Sequence, residues 1–240
     1  MTWLKGRNKH YVVTTNVEFI MKAQKDSRFK EVLNNADLAV PDSLRLGWAN
    51  FELNQKSLLK KIIFWPFFLF PVLLPKPHFP VVGGVYLLEK LCQRAAQEGF
   101  SVGFLGGKEG VVKKAAQKLQ KKYPGLKLTI AEDGPVVNLD GNEVAGSVHS
   151  SGHTDILFVA FGQVKQEKWI AKNLPHLPVK VAMGVGGSFD EISGEVMSAP
   201  GWIWNLGFKW LFRLILQPWR ITRFKALVKF VFLILVSPRV

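Results

Sequence analysis

The stretch that decides the fold is DILFVAFGQVKQEKWI, residues 155–170. Its first part, Ile156 to Phe161, is a continuous apolar run of the kind that fills a central β-strand covered on both faces. Gly162 ends this run, and the polar segment from Gln163 to Glu167 follows directly. In open α/β sheets, ligands bind in the crevice beyond the carboxyl ends of the strands. We therefore predict that any binding site is built around residues 162–167.

Short apolar runs alternate with helical patterns along most of the chain, which predicts an α/β fold. The predicted strands are Tyr11 to Thr14, Leu38 to Val40, Ser101 to Leu105, Leu126 to Ala131, Ile156 to Phe161 and Val179 to Gly184. A weak helix is expected over residues 141–150. The expected architecture is a single Rossmann-like domain over residues 1–200, with a mainly parallel sheet flanked by helices. A basic amphipathic helical appendage is expected over residues 201–240.

The composition combines strong positive charge with unusual apolarity. The 240 residues carry a formal net charge of +14 and are 48% hydrophobic. This combination favours an anionic membrane surface as the partner over nucleic acid, because nucleic-acid binders share the charge but seldom the apolar content. The single cysteine, Cys92, cannot form an internal disulfide and favours a reducing cytoplasm. The N-terminus lacks the pattern of a signal peptide.

Between residues 60 and 80 the sequence changes abruptly to KKIIFWPFFLFPVLLPKPHFP. The apolar part, residues 62–74, is well short of the ~20 residues that a membrane-spanning helix needs. Pro66 and Pro71 would break or kink such a helix. We predict an interfacial hairpin or helix pair at headgroup depth. The alternative is a buried connection or an oligomer contact, so the oligomeric state stays open.

The C-terminal segment, residues 201–240, contains no acidic residue, while basic and aromatic residues are interleaved along it. Arg213, Arg220 and Arg223 lie close to helical multiples of one another, apart from the break at Pro218. Such a segment suits an anionic bilayer surface or a position closed over a diphosphate. The alternative is a helix pair packed on the core with its arginines merely exposed.

Polar side chains follow the first two predicted strands. Thr14 and Asn16 end the first strand, and Asp42 follows the second within Pro41-Asp42-Ser43. Asp42 either caps the helix that follows or projects into the crevice beside Thr14 and Asn16.

Glycine turns follow two later strands. Gly106-Gly107 could receive a phosphate at a helix N-terminus, although two glycines often mark only a tight turn. Gly186-Gly187 would let the backbone lie close to a planar or phosphorylated ligand. Asp190 follows these glycines as a candidate partner for ribose or base, or as a local turn residue.

These segments together resemble the WecG/TagA/CpsF glycosyltransferases, known as glycosyltransferase family 26. The resemblance extends from about Tyr11 to Arg223, interrupted by the apolar insertion. The segments that carry it are Thr14-Thr15-Asn16, Pro41-Asp42, Phe104-Leu105-Gly106-Gly107, Phe161-Gly162-Gln163, Lys165-Gln166-Glu167, residues 184–190, Ala199-Pro200, residues 210–213, and Pro218-Trp219-Arg220 with Arg223. Their order and spacing, more than any single segment, support the resemblance.

The resemblance implies a metal-independent, inverting transfer of an N-acetylhexosamine of the N-acetylmannosamine type from a UDP-sugar, without a cofactor. The implied acceptor is an undecaprenyl-diphosphate-linked N-acetylglucosamine at the cytoplasmic face of the membrane, in cell-surface polysaccharide or teichoic acid synthesis. A peripheral or monotopic association with the membrane would bring the enzyme to that acceptor.

The resemblance also implies roles for particular residues. Asp42 would be the general base that deprotonates the acceptor hydroxyl. The residues expected to bind substrate are Thr14, Asn16, Gly106, Gly107, Gly162, Gln163, Gln166, Gly186 and Asp190. Arg213, Arg220 and Arg223 would neutralise the leaving diphosphate.

One segment departs from the family pattern. Where the family has an arginine and an aspartate after the Pro-Asp turn, this chain has Pro80 and Val85. The loss of both charges suggests either a changed donor preference or a catalytically impaired relative that serves as a nucleotide-sugar or lipid-diphosphate scaffold.

Overall fold

The computed structural model describes residues 2–55, 57–74, 80–148 and 152–237. Its strands are β1 (His10–Thr15), β2 (Leu38–Pro41), β3 (Ser101–Gly106), β4 (Lys127–Glu132), β5 (Val136–Val137), β6 (Glu143–Ala145), β7 (Thr154–Ala160) and β8 (Val179–Gly184). Its α-helices are α1 (Thr2–Lys5), α2 (Val17–Ala23), α3 (Ser27–Asn34), α4 (Leu44–Leu53), α5 (Leu58–Phe64), α6 (Gly84–Glu98), α7 (Val111–Lys122), α8 (Lys165–Asn173), α9 (Ser188–Ser193), α10 (Gly201–Asn205), α11 (Lys209–Leu216) and α12 (Phe224–Val236). Short 3-10 helices cover Trp65–Phe68, Pro71–Leu73, Leu174–His176 and Pro218–Arg223.

Six strands form one sheet in the order β2-β1-β8-β7-β3-β4, and the neighbours from β1 to β4 pair in parallel. The predicted α/β class with a parallel sheet flanked by helices is confirmed. The remaining strands, β5 and β6, form an antiparallel pair. The helix expected over residues 141–150 is wrong, because β6 occupies part of that segment. Gly141 and Gly146 flank β6 with φ of 78°, a conformation that ends a helix.

The central strand β7 is buried on both faces, as its apolar run predicts. Ile156, Phe158 and Ala160 pack into one core cluster with residues of α6, α7 and α9. Leu157 and Val159 point to the other face and pack with Trp169 and Ile170 of α8. Successive side chains of a strand alternate between faces, so a strand with helices on both sides must be apolar throughout.

The chain divides into two compact units. The sheet unit contains Met1–Thr14, Asp26–Val40 and Gly83–Met197. The other unit, here called the apolar unit, contains Thr15–Lys25, Pro41–Val82 and Ser198–Val240. The predicted division of the chain at residue 200 stays a prediction.

The apolar unit has a core of its own, centred on α4. Trp48 is fully buried there and contacts the ring of Phe68 edge-on at a centroid distance of 5.1 Å. Phe230 and Ile234 of α12 join the same cluster, with Val17 of α2. Helix α12 therefore packs on α2 and α4.

The apolar insertion is partly core and partly exposed. Pro66 and Pro71 each stand near the start of a 3-10 helix, where proline is tolerated. Phe68, Pro71 and Leu74 are buried. The exposed apolar residues of the insertion are Ile62, Ile63, Trp65, Leu69, Phe70, Val72 and Leu73, and Leu59 just before it is exposed as well. The buried residues fit a connection within the core, while the position of the exposed residues at headgroup depth stays a prediction.

The C-terminal segment is helical, as predicted, and it exposes a further set of large apolar side chains. They are Trp202, Leu206, Leu211, Ile215, Leu216, Trp219, Ile221, Phe224, Val228, Phe232 and Val236. Within the described ranges, no helix has both the length and the apolarity needed to cross a bilayer.

Candidate functional site

Three neighbouring strands of the sheet unit end side by side, and the turns after them line one open cleft. β3 pairs with β7 and β7 pairs with β8, so Gly107, Gly162 and Gly186 follow adjacent strand ends. The cleft has a volume of about 220 Å³. Its lining residues are Gly107, Lys108, Ala160, Phe161, Gly162, Gly186, Gly187, Phe189 and Asp190. An open cleft therefore lies at the carboxyl edge of the sheet and includes Gly162, while ligand binding around residues 162–167 stays a prediction.

Gly106 shows why glycine occupies the first of these turns. Its φ is +95°, and a Cβ atom there would lie 2.8 Å from the carbonyl carbon of Ala160. The backbone of β3 can therefore approach β7 only without a side chain at this position. Gly107 then donates its N–H to the Ala160 carbonyl at 3.0 Å, which fixes the rim of the cleft.

Sequence reasoning missed Lys108, which lines the same cleft. Its signal was available, because a lysine that directly follows a strand and two glycines lies at the mouth of the crevice. An ammonium group there favours an anionic ligand.

The side chains of Gln166 and Glu167 hold the backbone that lines the cleft. Both side chains are almost completely buried. The Gln166 Oε1 accepts the N–H of Gly186 at 3.2 Å, and its Nε2 donates to Glu167 Oε1. These contacts hold the turn after β8 in position. A Cβ at Gly184 would meet Glu167 Oε1 at 2.5 Å, so glycine is also required where the two side chains cross β8.

The turn before α8 is strained. Val164 has φ 76° and ψ −52°, a γ-turn conformation that β-branched residues rarely adopt. Its N–H donates to the Glu167 Oε2 at 2.8 Å. The buried carboxylate of Glu167 thus ties this turn to the first turn of the helix.

Thr14 and Asn16 have visible structural contacts. The Thr14 hydroxyl donates to the Gly184 carbonyl at 3.1 Å and so joins the ends of β1 and β8. Asn16 caps α2, because its Oδ1 accepts the N–H of Phe19 at 3.1 Å. Their contact with substrate stays a prediction.

Asp42 does not cap the helix that follows it. Ser43 is the N-cap of α4, and its hydroxyl accepts the N–H of Arg45 at 3.3 Å. The backbone N–H of Asp42 donates to the Thr15 carbonyl at 2.8 Å, which places Asp42 beside the end of β1. The capping alternative is therefore wrong, while the proximity of Asp42 to Gln166 stays a prediction.

The segment that departs from the family pattern lies next to Asp42 in the chain fold. The N–H of Val82 donates to the carbonyl of Pro41 at 2.9 Å. Pro80 is exposed and stands two residues before Val82. The arginine that the resemblance implies at position 80 would thus lie close to the end of β2, which Asp42 follows.

Comparison with known proteins shows which family this chain belongs to. The family model described as "Glycosyl transferase WecG/TagA/CpsF family" matches residues 1–62 and 68–239. The chain belongs to this family. The residues between the two matched ranges fall inside the apolar insertion, which agrees with the interruption seen in the sequence.

Two relatives match the chain over almost its whole length. Both are named N-acetylglucosaminyldiphosphoundecaprenol N-acetyl-beta-D-mannosaminyltransferase. The protein from Bacillus spizizenii is 29% identical over 99% of this chain and 83% of its own length. The protein from Bacillus subtilis is 30% identical over 95% of this chain and 82% of its own length. As a member of this family, the chain is a glycosyltransferase.

The other residues that the WecG/TagA/CpsF resemblance singles out are placed as follows. Asp190 stands in the first turn of α9 and lines the cleft. Gln163, at the turn after β7, and Arg213 of α11 are both half-buried. The side chains of Arg220 and Arg223 lie outside the described residues, although their backbone forms part of the 3-10 helix at Pro218–Arg223.

No cluster of three or more His, Cys, Asp or Glu side chains suited to a metal ion occurs in the part of the chain that the structure describes. Cys92 is buried, and burial together with Glu89 raises the pKa of its thiol to about 12. A thiol with such a pKa is a structural group of the core.

Most of the net charge of this glycosyltransferase belongs to the apolar unit. That unit contains fourteen Lys and Arg residues against three Asp and Glu, a net charge of +11 of the total of +14. The same unit exposes the apolar side chains of the insertion and of the C-terminal segment. A surface that is both cationic and apolar matches an anionic lipid bilayer.

Proposed function

We propose that this glycosyltransferase transfers an N-acetylmannosamine-type residue from a UDP-sugar to an undecaprenyl-diphosphate-linked N-acetylglucosamine, with inversion at the anomeric carbon. The observation that carries this proposal is the near full-length match to two relatives whose names state that acceptor and that transferred sugar. Their names also specify a β product, which corresponds to inversion if the donor is an α-linked UDP-sugar.

The proposed reaction is a single displacement. The acceptor hydroxyl oxygen attacks the anomeric carbon, and its proton passes to the carboxylate of Asp42. The bond between the anomeric carbon and the UDP oxygen breaks, and UDP leaves with the electron pair. Asp42 directly follows β2, and a carboxylate beside a strand end suits the role of the base.

The cleft at the ends of β3, β7 and β8 is the proposed donor site. Its glycine turns let backbone N–H groups approach a phosphate, and Lys108 adds a positive charge. Asp190 is proposed to accept from the nucleoside. Arg213, Arg220 and Arg223 are proposed to stabilise the negative charge that develops on the leaving diphosphate.

The enzyme is proposed to work as a peripheral protein at the cytoplasmic face of the membrane, in cell-surface polysaccharide or teichoic acid synthesis. The exposed apolar side chains and the +11 charge of the apolar unit support this location. Both properties favour the headgroup region of an anionic leaflet, where a lipid-linked acceptor is found.

Substitution of the base tests the proposal. In Asp42→Asn, kcat for transfer from UDP-N-acetylmannosamine should fall by about 100-fold to 10,000-fold, because general bases contribute that much. The apparent affinity for UDP should stay close to that of the parent protein. Asp140→Asn, which changes an exposed aspartate of the sheet unit, is the matched control. Product is measured by mass spectrometry with a lipid-diphosphate acceptor.

Two results would contradict the proposal. Transfer by Asp42→Asn at the parental rate would show that Asp42 is not the base. Binding of UDP-sugars by the parent protein without product from any UDP-hexosamine would favour the scaffold alternative, which the missing charge at Pro80 motivates.

A further inference from the structure

An arginine lies buried between two aromatic rings in the apolar unit. Arg45 stands in the first turn of α4 and is only 8% exposed. Its guanidinium carbon lies 5.1 Å from the ring centroid of Phe68 and 5.0 Å from that of Trp210. Phe68 comes from the apolar insertion and Trp210 from α11, so two distant parts of the sequence enclose this one cation.

The cation and one of its rings both present buried donors without acceptors. Among the described residues, neither Arg45 Nε nor Trp210 Nε1 has a hydrogen-bond partner. Cation–π contacts use the face of a ring and leave the N–H groups of the guanidinium unpaired. A buried donor without a partner is destabilising by about 1 to 3 kcal/mol. Both donors belong to side chains that contact each other.

The charge around Arg45 points to an anion. No ion pair joins Arg45 to a carboxylate within the ranges that the structure covers, and burial lowers the pKa of its guanidinium only to about 10. It therefore remains protonated at neutral pH, and a buried cation without a counter-ion is unfavourable. A ligand that accepts hydrogen bonds and carries negative charge would satisfy both donors.

We propose that Arg45 and the indole N–H of Trp210 form a phosphate-binding site that holds the diphosphate of the lipid-linked acceptor. A guanidinium can bind two phosphate oxygens at once, and the indole supplies a further donor beside it. The identity of the phosphate rests on the proposed function. Asp42 precedes Arg45 by three residues, and the acceptor carries its reacting hydroxyl and its diphosphate on the same sugar. An anionic phospholipid headgroup offers the same chemistry and is the second source to be tested.

The first experiment measures binding rather than transfer, so its outcome does not depend on the proposed reaction. Farnesyl diphosphate is titrated into the full-length protein in the presence of saturating UDP, which occupies the donor site. In Arg45→Met, Kd for farnesyl diphosphate should rise at least tenfold. Trp210→Phe, which keeps a ring but removes the N–H, should raise Kd severalfold. Arg94→Met, at an exposed arginine of α6, should leave Kd unchanged.

Thermal unfolding of the ligand-free proteins separates binding from a purely structural role. Methionine keeps the apolar stem and removes an unpaired buried charge, so Tm of Arg45→Met should equal or exceed that of the parent protein. If Arg45 served only to bridge the two rings, Tm would fall and the farnesyl diphosphate affinity of Trp210→Phe would not change. That pair of results would overturn the proposal.

The second experiment distinguishes the two sources of phosphate. Partition of the same variants is measured on phosphatidylcholine vesicles with and without phosphatidylglycerol. If the variants bind farnesyl diphosphate more weakly but partition onto the vesicles like the parent protein, the site belongs to the acceptor. If the variants partition more weakly but bind farnesyl diphosphate like the parent protein, the site binds a lipid headgroup and the assignment to the acceptor is overturned. If both Kd and partition are unchanged in folded Arg45→Met, no phosphate binds at Arg45.

Discussion

Glu52, in the core of the apolar unit, is a buried acid without good hydrogen-bond partners. It is fully buried, and neither carboxyl oxygen has a partner among the described residues. The nearby indole N–H of Trp48 donates to the Phe64 carbonyl at 3.3 Å. Burial raises the pKa of Glu52 to about 7, against the opposing effects of Lys61 and of the Trp48 indole. The carboxyl group of Glu52 therefore gains or loses its proton near neutral pH.

The raised pKa makes stability depend on pH. Above pH 4.5, the ordinary pKa of glutamate, the unfolded chain releases this proton, whereas the folded chain keeps it up to about pH 7. Stability should therefore fall as the pH rises through this window, by at most about 3 kcal/mol. Glu52→Gln should remove this dependence and be more stable than the parent protein at pH 8. Glu109→Gln, at an exposed position, is the control.

Denaturant unfolding between pH 4.5 and pH 8 checks this prediction. If the free energy of unfolding depends on pH in the same way for the parent protein and for Glu52→Gln, then Glu52 keeps an ordinary pKa in the folded protein.

The turn that joins β7 to α8 is strained at a point where the sequence gives no sign of it. Its apolar strand and its Gly162 are apparent from the sequence, but Val164 carries the positive φ that one would expect of a glycine. The strain is held by contacts of Glu167 and Gln166 to the backbone of the turns after β7 and β8. The contact that holds Val164 comes from Glu167, three residues along the chain, and depends on the burial of that carboxylate rather than on any local sequence pattern.

If Val164 is strained, replacing it with glycine should destabilise the protein less than replacing it with alanine, which is the opposite of the usual order. Glycine adopts positive φ freely, so Val164→Gly should regain about 1 to 3 kcal/mol of strain and offset the loss of a buried side chain. Val164→Ala loses the side chain but keeps the strain. We expect Val164→Gly to be the more stable of the two in urea unfolding, whereas alanine normally exceeds glycine. The usual order would refute strain at Val164.

The elements of the sheet could be predicted from the sequence because their signals are local. The apolar run at Ile156–Phe161 marks a strand covered on both faces, and β8 begins and ends where its pattern predicts. The division of the apolar insertion could not be predicted, because Phe68 and Leu74 are buried only through contact with Trp48 and α12. The capping of α4 was equally ambiguous, since Asp42 and Ser43 both suit that role.

The candidate site shows the same limit. The glycine turns of the cleft follow from strand ends and could be placed from the sequence. Arg45 could not, because its importance depends on Phe68 and Trp210, which lie 23 and 165 residues away in the sequence. A single arginine inside a helical pattern carries no local signal of a binding site.

At the scale of the whole molecule, charge and exposed apolar surface are concentrated in the apolar unit. A deletion of the insertion is a poor test of membrane binding, since it would remove Phe68 and Leu74 from the core. Substitutions of exposed residues leave the core intact and test the surface alone.

The double variant Ile62→Ser with Leu73→Ser should weaken partition onto phosphatidylglycerol vesicles at least tenfold, because both side chains are more than half exposed and would insert into lipid. The binding that remains should be strongly sensitive to salt. Leu139→Ser with Val144→Ser changes equally exposed residues of the sheet unit and is the control. Equal losses in the two double variants would contradict a membrane surface on the apolar unit.

The packing of α12 against α2 and α4 has a consequence for synthesis. Phe230, which covers Trp48, is translated 182 residues after it. At about 5 to 20 residues per second, the nascent chain lacks this cover for on the order of ten seconds or more. If translation stops anywhere upstream of Phe230, the apolar surface around Trp48 stays uncovered. Such truncated products should therefore be aggregation-prone even when the whole sheet has been made.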